Sequence, residues 1–130
     1  MEMEILFPGG KRVDSKYKGF VVKTDQPKSE GGDGSAPEPY DLMLSALGTC
    51  AGVNVLYFCE SRKIPTEGIR VSMQIEKNDK THLAERLQIR IRLPETFPER
   101  YRTAVKRAAD LCAVKRTFAH PPEVNLTLES

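Results

Sequence analysis

The longest apolar stretch of the chain predicts its central helix. Leu42–Cys59 is an 18-residue run that would be apolar nearly all round a helix, which is typical of a helix buried on several sides. Pro39 suits the first helical position, because no N–H is needed there, and Pro65 cannot continue a helix. We therefore predict a helix from Pro39 to about Lys63.

Patterns of period two on either side of this helix predict strands. Short segments at Glu2–Phe7 and Gly19–Thr24 predict two strands before it. After it, Ile69–Lys77 and Leu83–Leu93 alternate apolar with polar residues and are separated by a short polar turn. This pattern predicts an antiparallel hairpin with one apolar face. A last strand is predicted at Val124–Leu128.

A second helix is predicted to begin near Pro98. Its apolar positions recur at intervals of three and four residues, and they are Tyr101, Ala104, Val105, Ala108 and Cys112. Cys112 therefore lies on the buried stripe, near the end of this helix. The order of strands, long helix, hairpin, helix and strand predicts an α+β fold with helices covering an antiparallel sheet. We expect one domain over residues 1–130.

Composition excludes several classes of function. The net charge is +2, which is too small to indicate binding to nucleic acid or to an anionic membrane. Leu42–Cys59 is at the lower limit for a membrane span, but its polar residues and flanking acids favour a core helix. The first seven residues carry two glutamates and predict no secretory leader. Three cysteines, an odd number, indicate a reducing cytoplasm rather than a disulfide framework.

The spacing of the three cysteines restricts how they can pair. Cys50 and Cys59 are nine residues apart, so they face opposite sides of a straight helix and lie roughly 13 Å apart along its axis. They cannot form a disulfide with each other. Any pair within the chain therefore joins Cys112 to one of them. Cys50 is the better partner, because Cys59 lies at the border between apolar and polar sequence.

Cys50 has two interpretations, a plain core residue or a reactive thiol. Reactivity requires a lowered pKa, and the start of a helix at Pro39 is too distant to provide it. Either Gly48-Thr49 breaks the helix ahead of Cys50, or a cation such as Arg12 supplies the field. The histidines show no ligand spacing with the cysteines, which disfavours a zinc site or a Cys-His hydrolase.

Two motifs resemble the signatures of the OsmC/Ohr family. Pro39–Cys50, with the sequence PYDLMLSALGTC, is similar to the first signature, and Cys112–Arg116, with the sequence CAVKR, is similar to the second. The match is better to the broader OsmC-like group than to the strict Ohr branch. Tyr40 stands where that branch has a glutamate, and Ala113 stands where many members have proline. The resemblance implies an intertwined homodimer, with two long central helices wrapped by antiparallel sheets.

The resemblance also implies a thiol peroxidase that needs no metal, haem or flavin. The Cys50 thiolate would attack an organic hydroperoxide or hydrogen peroxide and become a sulfenic acid. Cys112 would then condense with it to a disulfide, which an external dithiol would reduce. Arg12 would be the activating cation, and Asp41 is the acid nearest to the position of the family carboxylate. The rival hypothesis is a non-catalytic protein of the same fold that holds an apolar ligand in the dimer cleft.

Overall fold

The computed structural model describes residues 1–129 and has an α+β architecture. Contacts between Cα atoms divide the chain into two compact units, Met1–Ser45 and the remainder from Ala46, and the expected single domain stays a prediction. The strands are β1 (Glu4–Gly9), β2 (Arg12–Tyr17), β3 (Phe20–Val22), β4 (Arg70–Lys77) and β5 (Ala84–Arg92). The helices are α1 (Pro39–Ser61), α2 (Arg102–Asp110) and α3 (Ala113–Ala119).

The first unit contains an antiparallel sheet in the order β1-β2-β3. The sequence pattern missed β2, because Arg12–Tyr17 carries four charged or polar side chains and lacks apolar alternation. The two predicted strands are present with shifted bounds, at Glu4–Gly9 and Phe20–Val22. Tyr17 pairs with Phe20 across β2 and β3, and their rings lie 6.0 Å apart. This aromatic pair helps to fix the register of the short strand β3.

A buried carboxylate holds the loop after β3. Asp25 is 1% exposed and accepts hydrogen bonds from the backbone N–H of Gln26 at 2.7 Å and from the N–H and hydroxyl of Ser35 at 3.0 and 2.6 Å. These donors, led by the Ser35 hydroxyl, lower the pKa of Asp25 to about 2. Gly32 lies so close to this turn that a Cβ would be 2.0 Å from the carbonyl oxygen of Gln26. The loop is therefore an ordered part of the first unit.

Helix α1 begins and ends close to the predicted residues. The N–H of Leu42 donates to the carbonyl of Glu38 at 3.1 Å, which leaves Pro39 at the first helical position. At the other end, Arg62 donates from Nη1 to the carbonyl of Phe58 at 3.3 Å and satisfies a terminal acceptor. The length and composition of α1 would allow it to cross a membrane, but core helices of soluble proteins can have the same length and composition.

The predicted hairpin is confirmed as β4 and β5. The two strands pair antiparallel, and Met73 lies opposite Ile89. The apolar face of the hairpin packs against the buried clusters of the second unit through Met73, Leu87, Ile89 and Ile91. The sheet has only two strands, and such a hairpin needs packing against other elements to be stable.

Two apolar clusters form the core of the second unit. The first joins the end of α1 to α2 and consists of Val55, Phe58, Cys59, Phe97, Val105 and Ala109. The second joins the middle of α1 to the segment between α2 and α3 and consists of Leu47, Ala51 and Cys112. Cys50, Val114 and the apolar face of the hairpin pack against this second cluster.

Two predictions about the end of the chain are wrong. Cys112 does not close the second helix, because α2 ends at Asp110 and α3 begins at Ala113. Val124–Leu128 forms no strand, since no other strand of the described chain pairs with it. Its alternating apolar side chains are almost fully exposed, at 86%, 94% and 97% for Val124, Leu126 and Leu128.

Candidate functional site

The structure brings Cys50 and Cys112 together. Cys112 is buried against Leu47 and Ala51 on α1, and Cys50 packs on the same cluster from its half-buried position. The two thiols are free, and they lie close enough for each to shift the pKa of the other. The convergence of Cys50 and Cys112 predicted from the sequence is therefore confirmed.

A polar contact between α1 and α2 positions the pair. Asn54 lies one helical turn after Cys50, and its Nδ2 donates to the carbonyl of Ala108 at 3.0 Å. Ala108 is in the last turn of α2, and its carbonyl also accepts the N–H of Leu111 at 3.2 Å. Cys112 follows with an extended backbone, φ −57° and ψ 131°, and turns the chain into α3. Asn54 thus holds the end of α2 beside the turn of α1 that carries Cys50.

The first turn of α3 stabilises the thiolate of Cys50. The backbone N–H of Val114 is the largest cause that lowers the pKa of Cys50, and the thiol of Cys112 is the next. Burial opposes them, while the N–H of Ala113 and the positive charge of Arg116 lower the pKa further. Donors that point at a sulfur favour its charged form. The net result is a pKa of Cys50 below that of an ordinary thiol.

Cys112 has the opposite chemistry. It is 1% exposed, and this burial is the main reason why its pKa is raised. Its Sγ lies 3.8 Å from the carbonyl oxygen of Leu47, which can accept the thiol proton. The site therefore pairs a Cys50 whose pKa is lowered with a Cys112 whose pKa is raised.

Of the two activations expected for Cys50, a helix break at Gly48-Thr49 is wrong. Helix α1 runs unbroken from Pro39 to Ser61, so Cys50 lies in its interior. The stabilising N–H groups come from α3, a separate helix near in space but distant in sequence. The cation that lowers the pKa of Cys50 is Arg116, to which the sequence analysis assigned no role.

The other expected activator, Arg12, lies on β2 in the first unit, together with Asp41 in the first turn of α1. The Nε of Arg12 donates to the carbonyl of Gly9 at 3.3 Å. Arg12 also lines a cavity of about 350 Å³ that includes Asp14 and Lys23. Asp41 is exposed. Their predicted role toward Cys50 stays a prediction.

Cys59 does not belong to the site. It is fully buried in the cluster of Val55 and Phe58, and burial raises its pKa. This agrees with the helix geometry, which turned Cys59 away from Cys50. Within residues 1–129, no group of three or more His, Cys, Asp or Glu side chains could hold a metal ion.

Sequence reasoning missed the residues that tune Cys50. Val114 and Ala113 act through backbone N–H groups, which side-chain patterns do not report. A short helix after Cys112 lacks the usual Ser, Thr, Asp or Asn cap, so its start was hidden. Asn54 did carry a signal, because a polar residue in an apolar helical run needs a partner when buried.

Comparison with known proteins shows which family and which solved structures this chain resembles. The sequence profile of a family described as OsmC-like protein matches residues 32–127. No curated protein sequence matches the chain. A protein from Psychrobacter arcticus, named for osmotic stress induction and a detoxification response, superposes with a TM-score of 0.74 at 17% identity, covering 88% of this chain and 85% of that one.

Two further solved structures share the fold. An OsmC-like protein from Mycoplasma pneumoniae has a TM-score of 0.67 at 12% identity, covering 92% of this chain and 87% of that one. A Legionella pneumophila protein, described as an organic hydroperoxide resistance protein OsmC and predicted redox protein, has a TM-score of 0.56 at 14% identity, covering 90% of this chain and 87% of that one. At these identities the similarity shows the fold.

Proposed function

Since the chain belongs to the OsmC-like family, we propose that it is a thiol-dependent peroxidase in which Cys50 reacts with the peroxide and Cys112 resolves the product. The observation that carries this proposal is the asymmetry of the two touching thiols. Cys50 has a lowered pKa and Cys112 a raised one. A low-pKa thiol beside a second thiol is the arrangement of a peroxide-reducing pair.

The reaction balances without a cofactor. The thiolate of Cys50 attacks the distal oxygen of a hydroperoxide, the O–O bond breaks, and the alkoxide or hydroxide leaves and takes up a proton. Cys50 becomes a sulfenic acid. The sulfur of Cys112 then attacks it, and water leaves with the formation of a disulfide. An external dithiol returns two electrons, restores both thiols and leaves as a disulfide.

The Arg12 guanidinium and the Asp41 carboxylate are proposed to complete the site, as the family resemblance implies. The Legionella protein, described as an organic hydroperoxide resistance protein, supports organic hydroperoxides as one class of substrate. The three free thiols of the chain suit the reducing cytoplasm.

The site is proposed to work in an intertwined homodimer. Only 33% of an apolar 18-residue stretch of α1 is buried within one chain, although its composition is typical of a core helix. Leu56 and Tyr57 on α1 stay exposed. A second copy, packing its own α1 against this one, would cover that surface and place both sheets around two long central helices.

Peroxide consumption with a dithiol reductant tests the function, with hydrogen peroxide compared to an alkyl hydroperoxide. Cys50→Ser should abolish turnover, because no other nucleophile takes its place. Cys112→Ser should permit one oxidation and leave a trappable sulfenic acid on Cys50. The matched control, Cys59→Ser, should change activity little. Full activity in Cys50→Ser would reject the peroxidase.

A second candidate function has its own supporting observation. The second unit contains a mostly apolar cavity of about 330 Å³ next to Cys112, which is large enough for a small apolar ligand. A protein that only binds such a ligand would keep its affinity in Cys50→Ser and consume no peroxide. The same variant therefore discriminates between the two functions.

A further inference from the structure

Cys112 lines a cavity in the second unit, whereas Cys50 is absent from its lining. We refer to it as the Cys112 cavity; its volume is about 330 Å³. Its apolar wall comes from α1, β5 and α3 and includes Leu47, Ala51, Leu87, Ile89, Ile91 and Phe118. Cys112 is buried, and this cavity is the open space that it lines.

The charged lining of the Cys112 cavity has an excess of positive charge. Lys106 and Lys115 line it together with one acid, Asp110. Lys115 forms an ion pair with Asp110, and both lysines contribute to the lowered pKa of that carboxyl. Two ammonium groups against one carboxylate leave a field that favours an incoming anion.

The chemistry of the disulfide distinguishes its two sulfurs. A thiolate that attacks one sulfur expels the other, and expulsion is faster when the leaving thiol has the lower pKa. The thiolate of Cys50 is stabilised by the N–H groups of Val114 and Ala113. The N–H groups of Lys115 and Val114 also lower the pKa of Cys112, but burial outweighs them and its pKa is raised. Cys50 is therefore the better leaving group, and Cys112 is the better point of attack.

We propose that the external reductant enters the Cys112 cavity as a thiolate and attacks the sulfur of Cys112. This inference rests on the proposed peroxidase function. The attack forms a bond from the reductant sulfur to Cys112 Sγ and breaks the bond to Cys50, which leaves with the electron pair as a thiolate. The second thiol of the reductant loses its proton to solvent and attacks the first. Cys112 is released and takes up a proton, and the reductant leaves as a disulfide.

The proposal assigns the two half-reactions to two different sulfurs. The peroxide meets Cys50, and the reductant meets Cys112 from the cavity. The identity of the attacked sulfur can be measured without any peroxide, since diamide forms the same disulfide. The test therefore stays informative when the peroxidase assay fails.

The experiment begins with the Cys59→Ala protein oxidised by diamide. A brief reaction with 2-mercaptoethanol is stopped with excess N-ethylmaleimide at acidic pH, and peptide mass spectrometry locates both labels. We expect mercaptoethanol on Cys112 and maleimide on Cys50. The reverse labelling would overturn the proposal. If diamide fails to join Cys50 to Cys112, both this proposal and the proposed peroxidase function are overturned. If diamide forms the disulfide and peroxide does not, only the peroxidase function is overturned.

A charge variant tests entry through the Cys112 cavity. The rate of disulfide reduction by anionic mercaptoethanesulfonate is compared with that by cationic cysteamine. Lys106→Gln should lower this ratio about two- to fivefold, the effect of one partly exposed charge. The matched control is Lys80→Gln in the exposed turn between β4 and β5, outside the cavity lining. An unchanged ratio in Lys106→Gln would exclude entry through this cavity.

Discussion

At the scale of single residues, one sulfur carries most of the chemistry. Cys50 is placed inside a helix, where its own helix offers no free N–H group, and it takes its donors from Val114, Ala113 and Cys112. Each of these favours the thiolate over the thiol. Burial acts against them, and the direction of the pKa shows that the donors prevail.

The pH dependence of alkylation tests this balance. Because the pKa of Cys50 is lowered in the folded chain, its thiolate should form at a lower pH than in the chain unfolded by urea. An unfolded cysteine has a pKa of about 8.5. Cys112→Ala should move the midpoint to higher pH, because a donor is lost. The measurement is the rate of iodoacetamide labelling at Cys50 by mass spectrometry. A folded midpoint at or above that of the unfolded chain would contradict the assignment.

Residue identity alone predicted part of this site. Helix geometry separated Cys59 from Cys50 and favoured Cys112 as the partner, since spacing on a helix is fixed by its pitch. The source of the field was not predictable in the same way. It depends on where N–H groups of a distant segment point, and this is set by tertiary packing such as the contact from Asn54 to Ala108.

At the scale of elements, α3 links the two cysteines electrostatically. It has seven residues, begins directly after Cys112, and presents its first N–H groups to Cys50. Long periodic elements such as α1 and the hairpin were predicted well, because their patterns span many residues. The short α3, the polar strand β2 and the unpaired segment 124–128 were not, because their state depends on neighbours rather than on their own pattern.

Ala113→Pro tests separately how α3 contributes to stability and how it lowers the pKa of Cys50. Proline is favoured at the first helical position, and the preceding Cys112 already has the extended backbone that proline requires. The gain of about 0.4–1 kcal/mol that proline gives at a compatible position should be offset by the lost N–H contact with Cys50, so the free energy of unfolding should change by less than about 1 kcal/mol. The variant also removes one N–H donor, so the pKa of Cys50 should rise. Urea unfolding and the labelling midpoint measure the two effects.

The control for this prediction breaks α3 instead of stiffening it. Thr117→Pro, in the middle of the helix, removes a helical hydrogen bond and clashes with the preceding turn. In Thr117→Pro the pKa of Cys50 should rise more than it does in Ala113→Pro. A pKa of Cys50 unchanged in Thr117→Pro would mean that α3 does not stabilise the thiolate.

At the scale of the whole molecule, the single chain leaves apolar surface and strand edges without cover. Among residues 1–129 the sheets have three and two strands, so no further strand pairs with their edge strands, and natural proteins normally protect such edges. The segment 124–128 has the alternation of a strand and no partner within the described chain. A second copy could supply both the missing strand pairing and the missing cover for α1.

The chain is therefore expected to be an obligate dimer at micromolar concentration. Tyr57→Glu would place a charge on the exposed apolar surface of α1, and burying an unpaired charge in an interface is costly. We expect it to weaken dimerisation at least about tenfold, or about 1.4 kcal/mol, by sedimentation equilibrium. Lys80→Glu, in the exposed turn after β4, is the control and should stay dimeric. A folded, stable monomer of the unmodified chain would reject the dimer, because the surface of α1 would then persist in water without a partner.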